Sequence, residues 1–431
     1  MKRKYLALSA ALMLMLSGCS DKSDDVSTSS TENVESSVSE TVSETVSETK
    51  APETPEEFHE AMLNRSILST GNNARLKAKI EQLRSGEKTV IGYIGGSITQ
   101  GVGANSESCW AKRSFNAIAD TYGTGDNAEY INAGISGTPS ILGNLRFERD
   151  ILSKNADIIF IEFAVNDGNE TLYRESFESM VKAALEHENS PAVILMINRT
   201  ENGHSCQEYM AQIGERYQLP MISVNDAITC EMNEGRMTWQ DYSNDGSHPN
   251  EYGHELDAEM VMKLFSVIDS EETDEACEMP AVPVFAVPYQ NAVLVTPESV
   301  EDNSDMEIVD YGKFTPVNSA VYGFTSSYMH DASLEGDMKI SLKGANSFWI
   351  VYKRNNSANM GSVDVYLNGS KLKTINANDK DGWGDPYSSQ VIKFSDTKDM
   401  EIEIKIAEGS EDKEFMILGF GYSQNKTQPL F

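Results

Sequence analysis

The stretch TVIGYIGGSITQG, residues 89–101, begins as an unbroken apolar run and ends on two glycines directly before Ser97. A strand without polar alternation is buried on both faces, as in parallel sheets covered by helices. Glycines at its carboxyl end permit the sharp turn that leaves Ser97 exposed. The pattern then repeats: a helix through Trp110 to Tyr122, a strand EYINAGIS, a helix near Ile141 to Leu152 and a strand DIIFIEFAVND. A helix through Phe177 to Glu186, a strand AVILMINR, a helix from about Gln207 to Tyr217, a short strand PMISV and a last helix from Asn250 to Ile268 follow. Upstream, Pro55 to Arg84 reads as helix, a turn at STGNN and a second helix stopped by Gly86. Apolar strands alternating with helices predict an α/β domain in three layers, with ligands bound beyond the carboxyl ends of the strands.

Polar residues collect in those strand-end loops. Ser97 follows the first strand, Gly134 and Gly137 follow the second in NAGISGT, Asn166 and Asp167 follow the third, and DGSHPN introduces the last helix. Asp245 and His248 are three apart in that turn, so the carboxylate can reach the imidazole, and Pro249 suits the start of the helix. A serine hydroxyl becomes nucleophilic when a neutral imidazole accepts its proton and a carboxylate fixes the imidazole tautomer. The N–H groups of Ser97 and Gly137 and the amide of Asn166 suit a developing oxyanion. Singly, each piece also reads as an ordinary turn or cap. A phosphate cradle lacks support, since neither GxxxxGK[ST] nor GxGxxG is completed.

Together the segments resemble the SGNH/GDSL hydrolases: GGSIT resembles the first block, NAGISG the second, VNDG the third and DGSHPN the fifth. The resemblance implies a flavodoxin-like three-layer domain over residues 58–272. In it Ser97 is nucleophile, His248 base and Asp245 third triad member, with Ser97, Gly137 and Asn166 as oxyanion donors and no cofactor. The first block departs from the GDSL name in carrying Gly96 where that name has Asp, which touches no triad role. The leader RSILSTGNNARLKAKIEQLRSGE and the GGSIT form look like exported bacterial members linked to carbohydrate deacetylation. The α/β-hydrolase elbow G-x-S-x-G fits less well.

The rest of the chain frames this domain. Its 431 residues carry 35 basic and 67 acidic side chains, a net charge of −32, which argues against nucleic acid as a partner. Residues 1–19 pair a basic start with a short apolar run ending in LSGC, resembling a lipoprotein signal. Cys19 is then the lipid anchor, giving an extracytoplasmic, membrane-attached protein. Residues 20–57, with SETVSETVSETK, read as a disordered tether. Cys109, Cys206, Cys230 and Cys277 permit disulfides without implying them. From 278 to 431, short alternating runs such as FWIVYKR and SVDVYLNG predict an all-β sandwich. Trp349, Trp383 and Tyr387 are its aromatic candidates for a sugar face, and Trp383 lies in the polar loop DKDGWGDPYS. Arg199 and His204, in NRTENGHSC, could line a substrate pocket; no His cluster has metal-ligand spacing.

The expected activity is a serine esterase removing short acyl groups, foremost O-acetyl groups, from polysaccharide. A lipase or lysophospholipase, and an inactive glycan-binding lipoprotein, are the alternatives.

Overall fold

The computed structural model describes residues 51–424. The expectations for the signal, for Cys19 and for most of the tether lie outside the described residues. The described chain enters helix at Pro55, where the sequence reading places it. Helix α1 (Pro55–Ser66) starts with a capping box in which the Thr54 hydroxyl accepts from Glu57 N–H and the Glu57 carboxylate accepts from Thr54 N–H. Pro55 at the first helical position presets the backbone there.

Strand β1 (Ile67–Ser69), helix α2 (Ala74–Arg84), β2 (Thr89–Gly95), α3 (Ser97–Gln100), α4 (Trp110–Tyr122), β3 (Ala128–Gly134), α5 (Ser140–Leu145) and α6 (Phe147–Asp150) come next. They are followed by β4 (Ile158–Glu162), α7 (Thr171–Leu185), β5 (Ala192–Ile197), α8 (Gln207–Arg216), β6 (Met221–Ser223), α9 (Val224–Asn233), α10 (Trp239–Tyr242) and α11 (Glu251–Ser270). The six strands form one sheet in the order β1-β6-β5-β4-β2-β3, parallel throughout except for β1, which pairs antiparallel with β6 at the edge. Strands β2, β4 and β5 are buried at every position, and separate apolar clusters cover the two faces. One cluster holds Tyr93, Trp110, Phe160 and Phe265, and the other Ile94, Phe163, Phe177 and Met210. This is the predicted three-layer α/β domain.

Chain order reverses around β2, whose neighbours are β3 on one side and β4 on the other. At such a reversal the loops leave in opposite directions and open a crevice at the carboxyl edge. Register sharpens the point: Gly95 of β2 lies level with Gly134 of β3 and with Glu162 of β4. Three strands thus end side by side, and their loops start from one line.

The connector after α11 packs back on the α/β domain. Val284 and Phe285 N–H groups donate to the buried Glu178 carboxylate of α7, each at 2.6 Å, and Tyr289 N–H donates to Ser179 Oγ. Beyond it lie β7 (Ala292–Val295), β8 (Met306–Asp310), β9 (Phe314–Val321), β10 (Phe324–His330) and β11 (Met338–Asn355). Then come β12 (Ser362–Leu367), β13 (Ser370–Asn376), β14 (Trp383–Ile406) and β15 (Met416–Ser423). All pair antiparallel in a sandwich. Runs read separately, MKISLKG and FWIVYKR, are one strand, β11, whose first half pairs with β8 and second half with β15. Ladder irregularities between Leu342 and Ser347 mark the change of partner.

A shared apolar core joins the two domains. Leu142 and Leu145 of α5 cluster with Tyr289, Leu294, Phe324, Trp349 and Leu418, and Tyr289 meets the Trp349 ring edge-on at 4.9 Å. Trp349, a sugar-face candidate in the sequence, is buried here. Its breadth and apolarity suit this junction. Lys393 adds an ion pair with Glu175 of α7 at 2.6 Å.

Candidate active site

Ser97 is the first residue of α3, two positions beyond Gly95. First-turn N–H groups of a helix have no intrahelical acceptor, so Ser97 presents both a free N–H and its hydroxyl. The glycine before it is required by close approach: a Cβ on Gly96 would stand 2.1 Å from Asn166 Oδ1. Asn166 Oδ1 is buried and has no hydrogen-bond partner among the described residues. The turn is braced from beneath. Thr99 donates its hydroxyl to Glu162 Oε2 at 2.9 Å, and the buried Arg146 guanidinium donates to Gly95 O at 3.0 Å and Ala133 O at 2.6 Å. Burial pushes the Glu162 carboxyl up to about 7 against the opposing effect of its Thr99 bonds.

His248 arrives from the turn before α11. The Ser97 hydroxyl donates to His248 Nε2 at 2.9 Å, and His248 Nδ1 donates to Asp245 Oδ2 at 2.8 Å. The second Asp245 oxygen accepts from the N–H groups of Ser247 and His248 at 2.7 and 2.8 Å. Partial burial works against the charge of Asp245, yet the His248 ring and those two N–H groups together hold its carboxyl below the usual range. The turn is itself anchored. Trp239 Nε1 donates to Asp245 O, the Ser243 hydroxyl bonds to the carbonyls of Asp245 and His248, and Glu201 N–H donates to Gly246 O. Trp239 and Ser243 were not singled out in the sequence; their apolar-then-polar surroundings resemble any helix end.

Gly137 sits at φ 71°, a conformation that costs a side-chain-bearing residue roughly 1–2 kcal/mol. Space is short there as well: a Cβ at Gly137 would lie 3.2 Å from Trp383 Cζ2. The β domain therefore reaches the Gly137 loop. Trp383 is 47% exposed and meets Tyr322, 48% exposed, edge-on at 5.0 Å. Trp383 N–H donates to the buried Asp385, whose carboxylate pairs with Arg354 at 2.7 Å, so the loop is held before any ligand arrives. Tyr322, at the tip between β9 and β10, carried no signal in the sequence beyond Gly323. Tyr387 instead packs against Tyr352 and under the Arg354 guanidinium.

The two other pocket candidates are tied into their own loops. Arg199 donates to Thr229 Oγ1 and, at 3.1 Å, to Thr200 O, bracing α9. The exposed His204 ring donates from Nε2 to Asp167 O at 3.0 Å, beside Asn166. His254, read as a satisfied residue, is buried: Nδ1 accepts from Trp110 N–H, Nε2 donates to Val102 O, and burial lowers its pKa to about 4. Cys109, Cys206, Cys230 and Cys277 are free thiols. Among the described residues no group of three or more His, Cys, Asp or Glu is arranged to hold a metal ion.

Residues 93–256 match the profile of the GDSL-like lipase/acylhydrolase family. Two crystal structures of a two-domain esterase active on acetylated mannans resemble the protein with a TM-score of 0.73. The one co-crystallized with mannopentaose is 24% identical, covering 84% of this chain and 98% of that one. The other is 25% identical, covering 84% and 99%. A search of the curated proteins finds no match.

Proposed function

We propose, on the premise that residues 93–256 form a domain of the GDSL-like lipase/acylhydrolase family, that this hydrolase removes O-acetyl groups from polysaccharide through Ser97, His248 and Asp245. One observation carries the mechanism: the unbroken relay from Ser97 Oγ to His248 Nε2 at 2.9 Å and from Nδ1 to Asp245 at 2.8 Å. Ser97 attacks the acetyl carbonyl as His248 takes the hydroxyl proton. The oxyanion accepts from the N–H groups of Ser97 and Gly137 and from the Asn166 amide, each such donor typically worth about 3 kcal/mol of barrier. The imidazolium then protonates the departing sugar oxygen, and water, activated by the same base, releases acetate from Ser97.

A polymeric substrate is supported by the exposed Trp383 and Tyr322 at the mouth of the site, since aromatic faces stack on the apolar faces of sugar rings. The acetylated mannans on which the similar two-domain esterase acts are the first substrates to try. Cys19, as lipid anchor, would hold the enzyme at the outer face of a membrane, where such a polymer is met. Replacing Cys19 by Ala should then release the protein from the membrane fraction.

The test is acetate release from acetylated mannan and xylan by the wild type and by Ser97→Ala. Release lost in the variant supports the reading. Release retained by Ser97→Ala, or absent from every glycan and from a small acetate ester in the wild type, refutes it.

A further inference from the structure

Asp167 follows the oxyanion residue Asn166 and is only 2% exposed, yet no cation among the described residues forms an ion pair with it. A buried carboxylate is expensive, and packing alone would be served better by an apolar residue. Its contacts indicate what it does. Oδ1 accepts from the N–H of Ser140 at 2.7 Å, and Oδ2 accepts from the Tyr209 hydroxyl at 2.7 Å. The backbone carbonyl of the same residue accepts from His204 Nε2 at 3.0 Å and from the Cys206 thiol at 3.1 Å.

These four donors come from two directions. Ser140 opens α5 three residues after Gly137, and its N–H is one that α5 itself cannot satisfy. His204, Cys206 and Tyr209 belong to the loop after β5 and the start of α8. The carboxylate therefore reaches from the loop of Asn166 to the loop of Gly137, while α8 holds it from behind. No backbone ladder links these two loops, because β3 and β4 are separated by β2 in the sheet.

We infer that Asp167 is the positioning residue of the oxyanion hole, setting the separation between the Gly137 N–H and the Asn166 amide. The inference rests on the esterase reading above. It assigns Asp167 no contact with substrate: the residue acts through the two loops it ties. What matters is the reach of its side chain and its ability to accept from Ser140. Asparagine keeps both, because its oxygen can accept from Ser140 while its amide donates to the Tyr209 oxygen. Glutamate keeps the charge but adds a methylene, and serine is too short to span the loops.

The experiment compares kcat and KM on a small acetate ester for wild type, Asp167→Asn, Asp167→Glu, Asp167→Ser and Ser97→Ala, with near-ultraviolet circular dichroism to confirm folding. Expected is an Asp167→Asn enzyme within about threefold of wild type. Whichever of the Glu and Ser variants is folded should lose about 10²-fold in kcat at little-changed KM, the scale on which a misplacement of ~1 Å acts. A folded Glu or Ser variant with wild-type kcat overturns the inference, and so does an Asp167→Asn enzyme that is folded but slow, since charge and not reach would then be the requirement. Should neither the Glu nor the Ser variant fold, Asp167 serves the fold rather than the spacing, and the inference fails. An inactive wild type, or an active Ser97→Ala, would instead sink the esterase reading itself.

Discussion

On the proposed reading, removing the Trp383 indole should separate sugar recognition from chemistry, because this side chain belongs to the β domain while Ser97 belongs to the α/β domain. An indole offers ~150–250 Å² of surface, and at 47% exposure about half is free for a ligand. A single sugar ring covering ~60–100 Å² of it gains about 1.5–2.5 kcal/mol at ~25 cal/mol per Å². Ordering the sugar takes back part of that, on the order of 0.5 kcal/mol. The loop itself needs little ordering, since Asp385 already holds the Trp383 N–H and is paired with Arg354. A net of about 1–2 kcal/mol corresponds to a 5- to 30-fold loss of kcat/KM.

Trp383→Ala is therefore expected to lose 5- to 30-fold in kcat/KM for acetate release from acetylated manno-oligosaccharides, a range given by that estimate. It should stay within about threefold of wild type on a small aliphatic acetate ester too short to reach the indole, a difference of under ~1 kcal/mol. Coupled acetate detection serves both substrates. An equal loss on both would show that Trp383 acts through its contact with Gly137 rather than on sugar. No loss on either would remove the aromatic pair from substrate binding.

Asp245→Asn keeps the shape of the turn but presents its amide or carbonyl to His248 Nδ1 without holding the productive tautomer, so kcat on a small ester should fall by about 10²–10⁴-fold with the thermal midpoint little changed. Stability should also depend on pH through three buried carboxyls. Burial, named first in each case, raises Glu162 and Asp167 to about 7 and Asp257 to about 8. Folded values above unfolded ones mean that the contribution is fully present below pH ~4 and is lost as pH rises through ~7–8. Asp257→Asn should accordingly gain thermal midpoint relative to wild type between pH 5 and pH 9, a window chosen to bracket roughly that titration. A difference independent of pH across differential scanning runs would refute the assignment.

The features that sequence disclosed were those whose physics is local. β2 announces a doubly covered parallel strand because every side chain in it is apolar or glycine apart from Thr89, and every one is buried. Asp245 and His248 were legible as a pair because they lie three positions apart in one turn. Long-range geometry was not. β1 is three residues of ordinary sequence whose strand character comes from pairing with β6, and α9 and α10 went unread between PMISV and DGSHPN. Arg199 and His204 were legible as residues of the loop after β5, but their engagement by Thr229 and Asp167 was not, because those partners are distant in sequence. Asp167 itself looked like half of a turn signal, because the Ser140 and Tyr209 that give it a purpose lie 27 and 42 residues away.

Two domains that pack through a buried apolar core behave differently from two joined by a linker. Leu142 and Leu145, at the centre of that core, belong to α5, the helix that begins just after the Gly137 loop and whose first N–H is held by Asp167. One short helix thus carries the Gly137 loop at its start and the domain junction along its length. Since packed interiors transmit displacement rather than absorb it, the distance from Trp383 to Gly137 should follow the seating of Trp349 and Tyr289 against α5. On the proposed reading the β domain is then a wall of the cleft beside Ser97 rather than a module that merely delivers the enzyme to a polymer. Substitutions in the core at Trp349 should be felt at Gly137 before they are felt at His248 and Asp245, because those two are anchored independently, by Trp239 and Ser243.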